Sequence, residues 1–280
     1  MKRLQFNLSE LRFEEKARAI TKDVVAVCIP NGAGHIAPAL SCVDILVALY
    51  YRLMSLSKDP AWSERDRLVF SKAHGCYSLY SILADIGYID RKKDWETFYR
   101  GSFLSGCVER SVAHGIDAGC GSLGHGLPLA TGLAFGAKLQ RIAWRTYCVV
   151  GDGEMQEGSC WEALQYAVKH ELRNLTVIID ANNLQAMDFV DNVLTKNGRK
   201  DDLIQKCRGF GCVAEECDGH TTMEIVRIIE AWNNDPALKA PQVLVARTIK
   251  GKGLKCMENK AKYHFRLPTE EELSMGTRYE

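Results

Sequence analysis

Thr146-Tyr147-Cys148-Val149-Val150-Gly151-Asp152-Gly153 and Leu175-Thr176-Val177-Ile178-Ile179-Asp180-Ala181-Asn182-Asn183 are the two stretches that decide the fold. Each is a short apolar run ending in small and polar residues, the pattern of a strand buried on both faces. Between them, Gly158 to His170 places Trp161, Leu164 and Val168 on one side of a helix. Strand, helix, strand is a βαβ unit, which implies a mostly parallel sheet covered by helices on both faces. Ligands of such sheets bind beyond the carboxyl ends of the strands. Asp152 and Asn182 stand at those ends, one βαβ step apart. A carboxylate, an amide oxygen, a backbone carbonyl and phosphate oxygens suit octahedral Mg²⁺, and the flanking Gly151 and Gly153 admit backbone amides to a phosphate.

Working outward, Gln242 to Thr248 reads as a third buried strand and Arg67 to Ser71 as a short fourth. Leu8 to Ile29 has helical spacing with Ser9 as its cap. Pro38 to Tyr51, Cys76 to Ile86, Leu127 to Leu139 and Asp201 to Phe210 also read as helices. Thr221 and Glu224 form a capping box for another, running to Asn233. Residues 101 to 126 are rich in glycine, which lets backbone approach a ligand or take positive φ. Gly251-Lys252-Gly253 follows the third strand. No repeat or linker interrupts the chain, so residues 1–280 read as one α/β domain, with 266–280 a polar C-terminal arm.

The 280 residues carry a formal charge of +1, with 46% hydrophobic and 25% charged residues. That balance gives no electrostatic reason to expect nucleic acid or an acidic membrane as partner. No apolar run reaches the length of a membrane span, and the basic start at Lys2 and Arg3 leads into no signal peptide. Eleven scattered cysteines without a Cys-x-x-Cys pair read as small buried hydrophobes in a reducing compartment, and the cytoplasm is the expected location. The dinucleotide fingerprint and the ATPase phosphate loop are both missing.

Gly151-Asp152-Gly153 followed by Asn182-Asn183 resembles the diphosphate–metal motif of thiamine diphosphate enzymes. Five further segments extend the resemblance, from about residue 10 to 275, to the N-terminal, diphosphate-binding domain of transketolases. They are Ala33-Gly34-His35; Arg65-Asp66-Arg67 through Ser71-Lys72-Ala73-His74; Gly121-Ser122-Leu123-Gly124-His125-Gly126; Thr248-Ile249-Lys250-Gly251-Lys252-Gly253; and Asn259-Lys260-Ala261-Lys262-Tyr263-His264. The resemblance implies a thiamine diphosphate-binding fold and two-carbon ketol transfer from a ketose to an aldose, free or phosphorylated. It implies catalytic roles for His35, His74, His264 and Glu157, the last facing a partner's cofactor-activating glutamate. Cofactor contacts are implied for His74, Cys107, Gly121, Leu123, Gly151, Asp152, Gly153, Glu154, Asn182 and His264, with Leu123 against the pyrimidine. Mg²⁺ or Ca²⁺ is expected on Asp152, Asn182 and the backbone carbonyl of Leu184. His170 and His220 read as structural.

The sequence departs from the family at Gly106-Cys107-Val108-Glu109, where Gly-His-Pro-Glu is usual. A thiol is a weak donor and cannot act as imidazolium. His114 and His125, the latter in place of the usual glutamine, are the nearest groups that could compensate, and an altered sugar preference follows. The pyrimidine-binding and C-terminal domains of the family have no counterpart here. Either the chain is a fragment of a longer protein or, as expected here, a second subunit carries them, in an α₂β₂ heterotetramer. The alternatives are a subunit of a 2-oxo acid dehydrogenase-like or deoxyxylulose phosphate synthase-like enzyme, and a non-catalytic partner subunit.

Overall fold

The computed structural model describes Arg3, Leu4, Phe6, residues 8–194 and residues 202–277. In chain order its main elements are α1 (Glu10–Cys28), α2 (Ile36–Ser41), α3 (Val43–Ala48), β1 (Arg67–Phe70), α4 (Cys76–Asp85), α5 (Gly126–Leu139), β2 (Thr146–Gly151) and α6 (Gly158–Lys169). They continue with β3 (Leu175–Ala181), α7 (Val190–Leu194), α8 (Leu203–Gly209), β4 (Val213–Asp218), α9 (Thr222–Asn234), β5 (Gln242–Arg247) and α10 (Glu270–Leu273). The five strands form one parallel sheet in the order β1-β2-β3-β5-β4.

Alternation along the strands divides the core into two layers. Tyr147, Val149, Ile178 and Leu244 face α1 to α4 and α9; Cys148, Val150, Val177, Ile179, Val243 and Val245 face α5, α6 and α8. Both faces of the central strands are therefore apolar, which is why they read as continuous runs and not as alternating ones. Register then fixes the rim. Gly151 pairs with Asp180 and Ala181 with Arg247, so Asp152, Asn182 and Thr248 leave the sheet side by side at its carboxyl end.

Several elements differ from the sequence reading. The helix expected over Pro38–Tyr51 is broken at Cys42 into α2 and α3 and ends in a wider π turn, Leu49–Leu53. β4 has no counterpart among the expected strands. It is an edge strand whose Glu215 and Glu216 are exposed, so it lacks the apolar run of its neighbours. Ser9 and Thr221 occupy cap positions without a side-chain cap bond; the Thr221 hydroxyl donates to Asp218 instead. The capping box sits elsewhere, between Thr269 and Glu272 at the start of α10. Asp201, the expected start of the helix to Phe210, lies outside the described residues, as do the last three residues of the C-terminal arm. No helix among the described residues is long and apolar enough to cross a membrane.

Candidate functional site

The carboxyl rim of the sheet encloses a cavity of ≈ 340 Å³. Its floor is the turn after β2. Asp152 is buried, and its Oδ1 accepts the Gly153 N–H at 2.8 Å while Oδ2 accepts the Asn183 N–H. Asn182 Oδ1 accepts the Leu184 N–H at 3.0 Å. Asp152 thus ties the turn after β2 to the loop after β3, and Asn182 braces that second loop from within. Burial, with Asp180 nearby, pushes the Asp152 carboxyl up to about 6. Among the described residues no three His, Cys, Asp or Glu side chains gather to hold a metal alone. One carboxylate, one amide and one carbonyl make a partial oxygen set that a bound diphosphate would complete.

Two lysines enter this cavity to which the sequence reading gives no role, although both stand within its motifs. Lys72 follows β1. Its Nζ pairs with the buried Asp180 carboxylate and also donates to Ser41 Oγ at 2.7 Å and the Pro38 carbonyl at 2.8 Å. Asp180 in turn accepts from Ser41 at 2.7 Å and from the Thr248 hydroxyl. Burial opposes both charges, yet the pairing prevails, with Lys72 held above its ordinary value and Asp180 below. Lys250 follows β5. Its Nζ donates to the Leu184 carbonyl at 2.9 Å and lies 2.8 Å from His264 Nδ1. Burial, reinforced by Lys72, lowers Lys250 to about 7.

The three expected histidines come together from distant parts of the chain. The ring centroids of His35 lie 4.6 Å from His74 and 5.7 Å from His264, and Phe265 covers His35 at 4.6 Å. Burial is the main cause lowering all three. Neighbouring positive groups add to it and bring His35 to about 4 and His264 to about 3. Near neutral pH these rings are uncharged donors and acceptors. Burial first, and the neighbouring positive groups second, disfavour the imidazolium form there.

The glycine-rich loop is anchored by Glu154. Its Oε1 accepts from the Ser71 hydroxyl and from the Gly124 N–H at 3.0 Å, and its Oε2 accepts the Gly151 N–H at 3.1 Å. The side chain expected to touch cofactor is thus occupied inside the protein, joining the ends of β1 and β2 to the loop. Glycine is needed here: Gly124 has φ +81° and a Cβ would come 2.6 Å from Glu157, while at Gly126 it would meet Ser71. The clamp leaves Leu123 and Glu157 exposed at the cavity mouth.

Most of the expected site residues therefore share one cavity wall: His74, Leu123, Gly151, Asp152, Gly153, Glu154, Glu157, Asn182, Leu184 and His264. His35 stands beside them through its rings. Gly121 and Cys107 do not line the cavity; a Cβ on Gly121 would lie 4.0 Å from that of Cys107. Burial and Glu109 push the Cys107 thiol up, which disfavours the nucleophilic thiolate. Of the two candidates to replace it, His114 is engaged with Ser111 and Phe103, and His125 is exposed.

Residues 10–276 match the family model of the transketolase thiamine diphosphate-binding domain. The chain is 36% identical to one subunit of an apulose-4-phosphate transketolase from Actinobacillus succinogenes, over 97% of this chain and 96% of that protein. It is 35% identical to a 6-deoxy-6-sulfo-D-fructose transketolase subunit from a Clostridium species, over 94% of each. Among solved structures, a transketolase from Campylobacter jejuni superposes with a TM-score of 0.81 at 29% identity, over 93% of this chain and 41% of that one. The chain thus spans about 40% of the length of that solved transketolase.

Proposed function

This chain belongs to the transketolase family, as a form of its thiamine diphosphate-binding domain, and from that premise we propose that it is the N-terminal subunit of a split transketolase. Its reaction is transfer of a two-carbon ketol unit from a ketose, or ketose phosphate, to an aldose or aldose phosphate. The observation that carries this reading is the convergence of Asp152, Asn182, Lys250, His74 and His264 on one cavity at the carboxyl rim, with His35 stacked beside the two histidines.

The residues fit thiamine diphosphate with Mg²⁺ or Ca²⁺. Thiamine diphosphate, when bound, supplies the electron sink for the two-carbon carbanion. Asp152, Asn182 and the Leu184 carbonyl would hold the metal, that carbonyl having a second lone pair besides the one facing Lys250. Lys250 lacks a carboxylate partner among the described residues, and a diphosphate would supply its counter-charge. His74 and His264 donate to diphosphate or sugar oxygens from the inner wall. His35, stacked outside them, donates to the sugar and moves protons at its hydroxyls. Leu123 packs against the pyrimidine, and Glu157 meets the partner's activating glutamate.

On this reading residues 1–280 form one diphosphate-binding domain, with 266–280 its arm. The partner carries the pyrimidine-binding and C-terminal domains, and two copies of each chain assemble in the cytoplasm with closed two-fold symmetry. The outer side of α5 offers a surface for assembly: Leu129 and Leu139 are exposed, and a Cβ at Gly132 or Gly136 would meet nothing within 4 Å. The test is a ketol-transfer assay with this chain alone and with its candidate partner, beside molar mass by light scattering. Activity and the heterotetramer mass are expected only for the pair. Full turnover by the purified single chain refutes the two-polypeptide reading, and turnover of pyruvate in place of ketoses refutes the reaction.

A further inference from the structure

His220 lies beyond the end of β4, outside the cavity wall, and its ring has two engaged nitrogens. Nε2 accepts the backbone N–H of Ile249 at 2.7 Å. Nδ1 lies 2.9 Å from Oδ2 of Asp44, a buried carboxylate on α3. The first bond requires a lone pair on Nε2, so the ring proton resides on Nδ1 and is donated to Asp44. The same Asp44 oxygen accepts from Lys252 Nζ at 3.0 Å. His220 and Lys252 therefore hold both flanks of the turn that follows β5. Between the two flanks stands Lys250, whose Nζ reaches the Leu184 carbonyl and His264.

We propose that His220 is a positioning residue for the diphosphate grip: as the Nδ1–H tautomer it fixes the Ile249 amide and so aims the Lys250 ammonium at the phosphates. The inference rests on the proposed cofactor site and adds to it a residue that never touches the cofactor. Two features separate it from a simple tie between helix and sheet. The bond lands on the N–H of the residue immediately before Lys250, in the turn and not on β5 itself. And the rest of the turn is independently secured, by Thr248 to Asp180, Gly251 N–H to the Ala37 carbonyl at 3.0 Å, and Asn259 N–H to the Lys250 carbonyl at 3.0 Å. Loss of His220 then frees one peptide, not the whole loop. Lysine on an unfixed peptide samples several directions, and ordering it on binding costs affinity.

The experiment measures, by calorimetry on this chain assembled with its partner, the affinity for thiamine diphosphate with Mg²⁺. His220→Leu keeps the bulk and removes both bonds. His220→Gln keeps a neutral acceptor and donor. Each is made with and without Lys250→Met. His220→Leu is expected to weaken binding about tenfold, the scale of one buried hydrogen bond. His220→Gln should restore most of that affinity, and His220→Leu should add nothing once Lys250 is methionine. Equal losses with and without Lys250 would overturn the proposal. If His220→Leu fails to fold, ¹⁵N spectra of the wild-type ring decide: an Nε2–H tautomer or an imidazolium at neutral pH overturns it. A wild-type pair that binds no cofactor refutes the functional reading. A wild type that binds, with His220→Leu unimpaired, refutes only the role of His220.

Discussion

Two lysines line the same cavity, and the protein treats them oppositely. Lys72, after β1, is saturated by Asp180, Ser41 and the Pro38 carbonyl, and stays charged. Lys250, after β5, has a carbonyl and an imidazole, and burial lowers it to about 7. The first is a strut that ties β1, β3 and α2 together. The second is a charge that the fold leaves incompletely compensated. A buried cation without a counter-ion costs stability unless a ligand supplies one, so the contrast separates scaffold from binding site within one cavity.

The largest effect expected from this contrast is on stability. Lys72→Met leaves Asp180 buried without its cation, which costs about 3–5 kcal/mol. Lys250→Met removes a charge the fold compensates only in part and should leave stability within about 1 kcal/mol of wild type or raise it. Urea unfolding of both variants checks this; equal losses would erase the distinction. Next in size is Asp152→Ala, which should leave the fold intact but weaken cofactor binding at millimolar Mg²⁺ by at least about a hundredfold, beyond what losing an outer partner of a metal ligand costs. Unchanged affinity in a titration would remove Asp152 from the metal site.

The smallest effect is the pH dependence of that affinity. Metal binding needs ionised Asp152, so affinity falls as pH drops below about 6. Diphosphate binding favours charged Lys250, so affinity falls as pH rises above about 7. Binding should be tightest between these values. Lys250→Met should lose the alkaline limb and keep the acidic one, and proton uptake on binding above pH 7 should disappear with it. Calorimetry in buffers of different ionisation enthalpy measures both; an alkaline limb that survives the substitution assigns it to another group.

The sheet's central strands are legible in the sequence because burial on both faces writes itself as unbroken apolar runs. β4 is not, because an edge strand with Glu215 and Glu216 facing solvent has neither an apolar run nor clean alternation. Asp152 and Asn182 can be read as neighbours because one βαβ step places consecutive strand ends together. Lys72 and Lys250 stand inside recognisable motifs and still escape, since a lysine in a sequence gives no sign of burial. The partner that reveals Lys72, Asp180, is over a hundred residues away. Glu154 shows the converse: its position beside Asp152 suggests ligand contact, and only the three donors converging on it show a clamp. The placement of Cys107 behind Gly121 depends on how the glycine-rich segment folds back, which spacing alone does not specify.

The histidine cluster also bears on how the protein folds. His35 and His264 belong to segments more than two hundred residues apart, yet their rings sit 5.7 Å from each other. Closing so long a loop is entropically slow and is compensated only when the intervening sheet has formed. The contact between His35 and His264 is therefore expected to form late, after the sheet, which amide-exchange labelling during refolding would check. A ligand that needs this contact selects chains whose folding is complete and pulls late intermediates toward the native state by mass action. Supply of the cofactor during synthesis would then govern the yield of soluble protein as well as its activity.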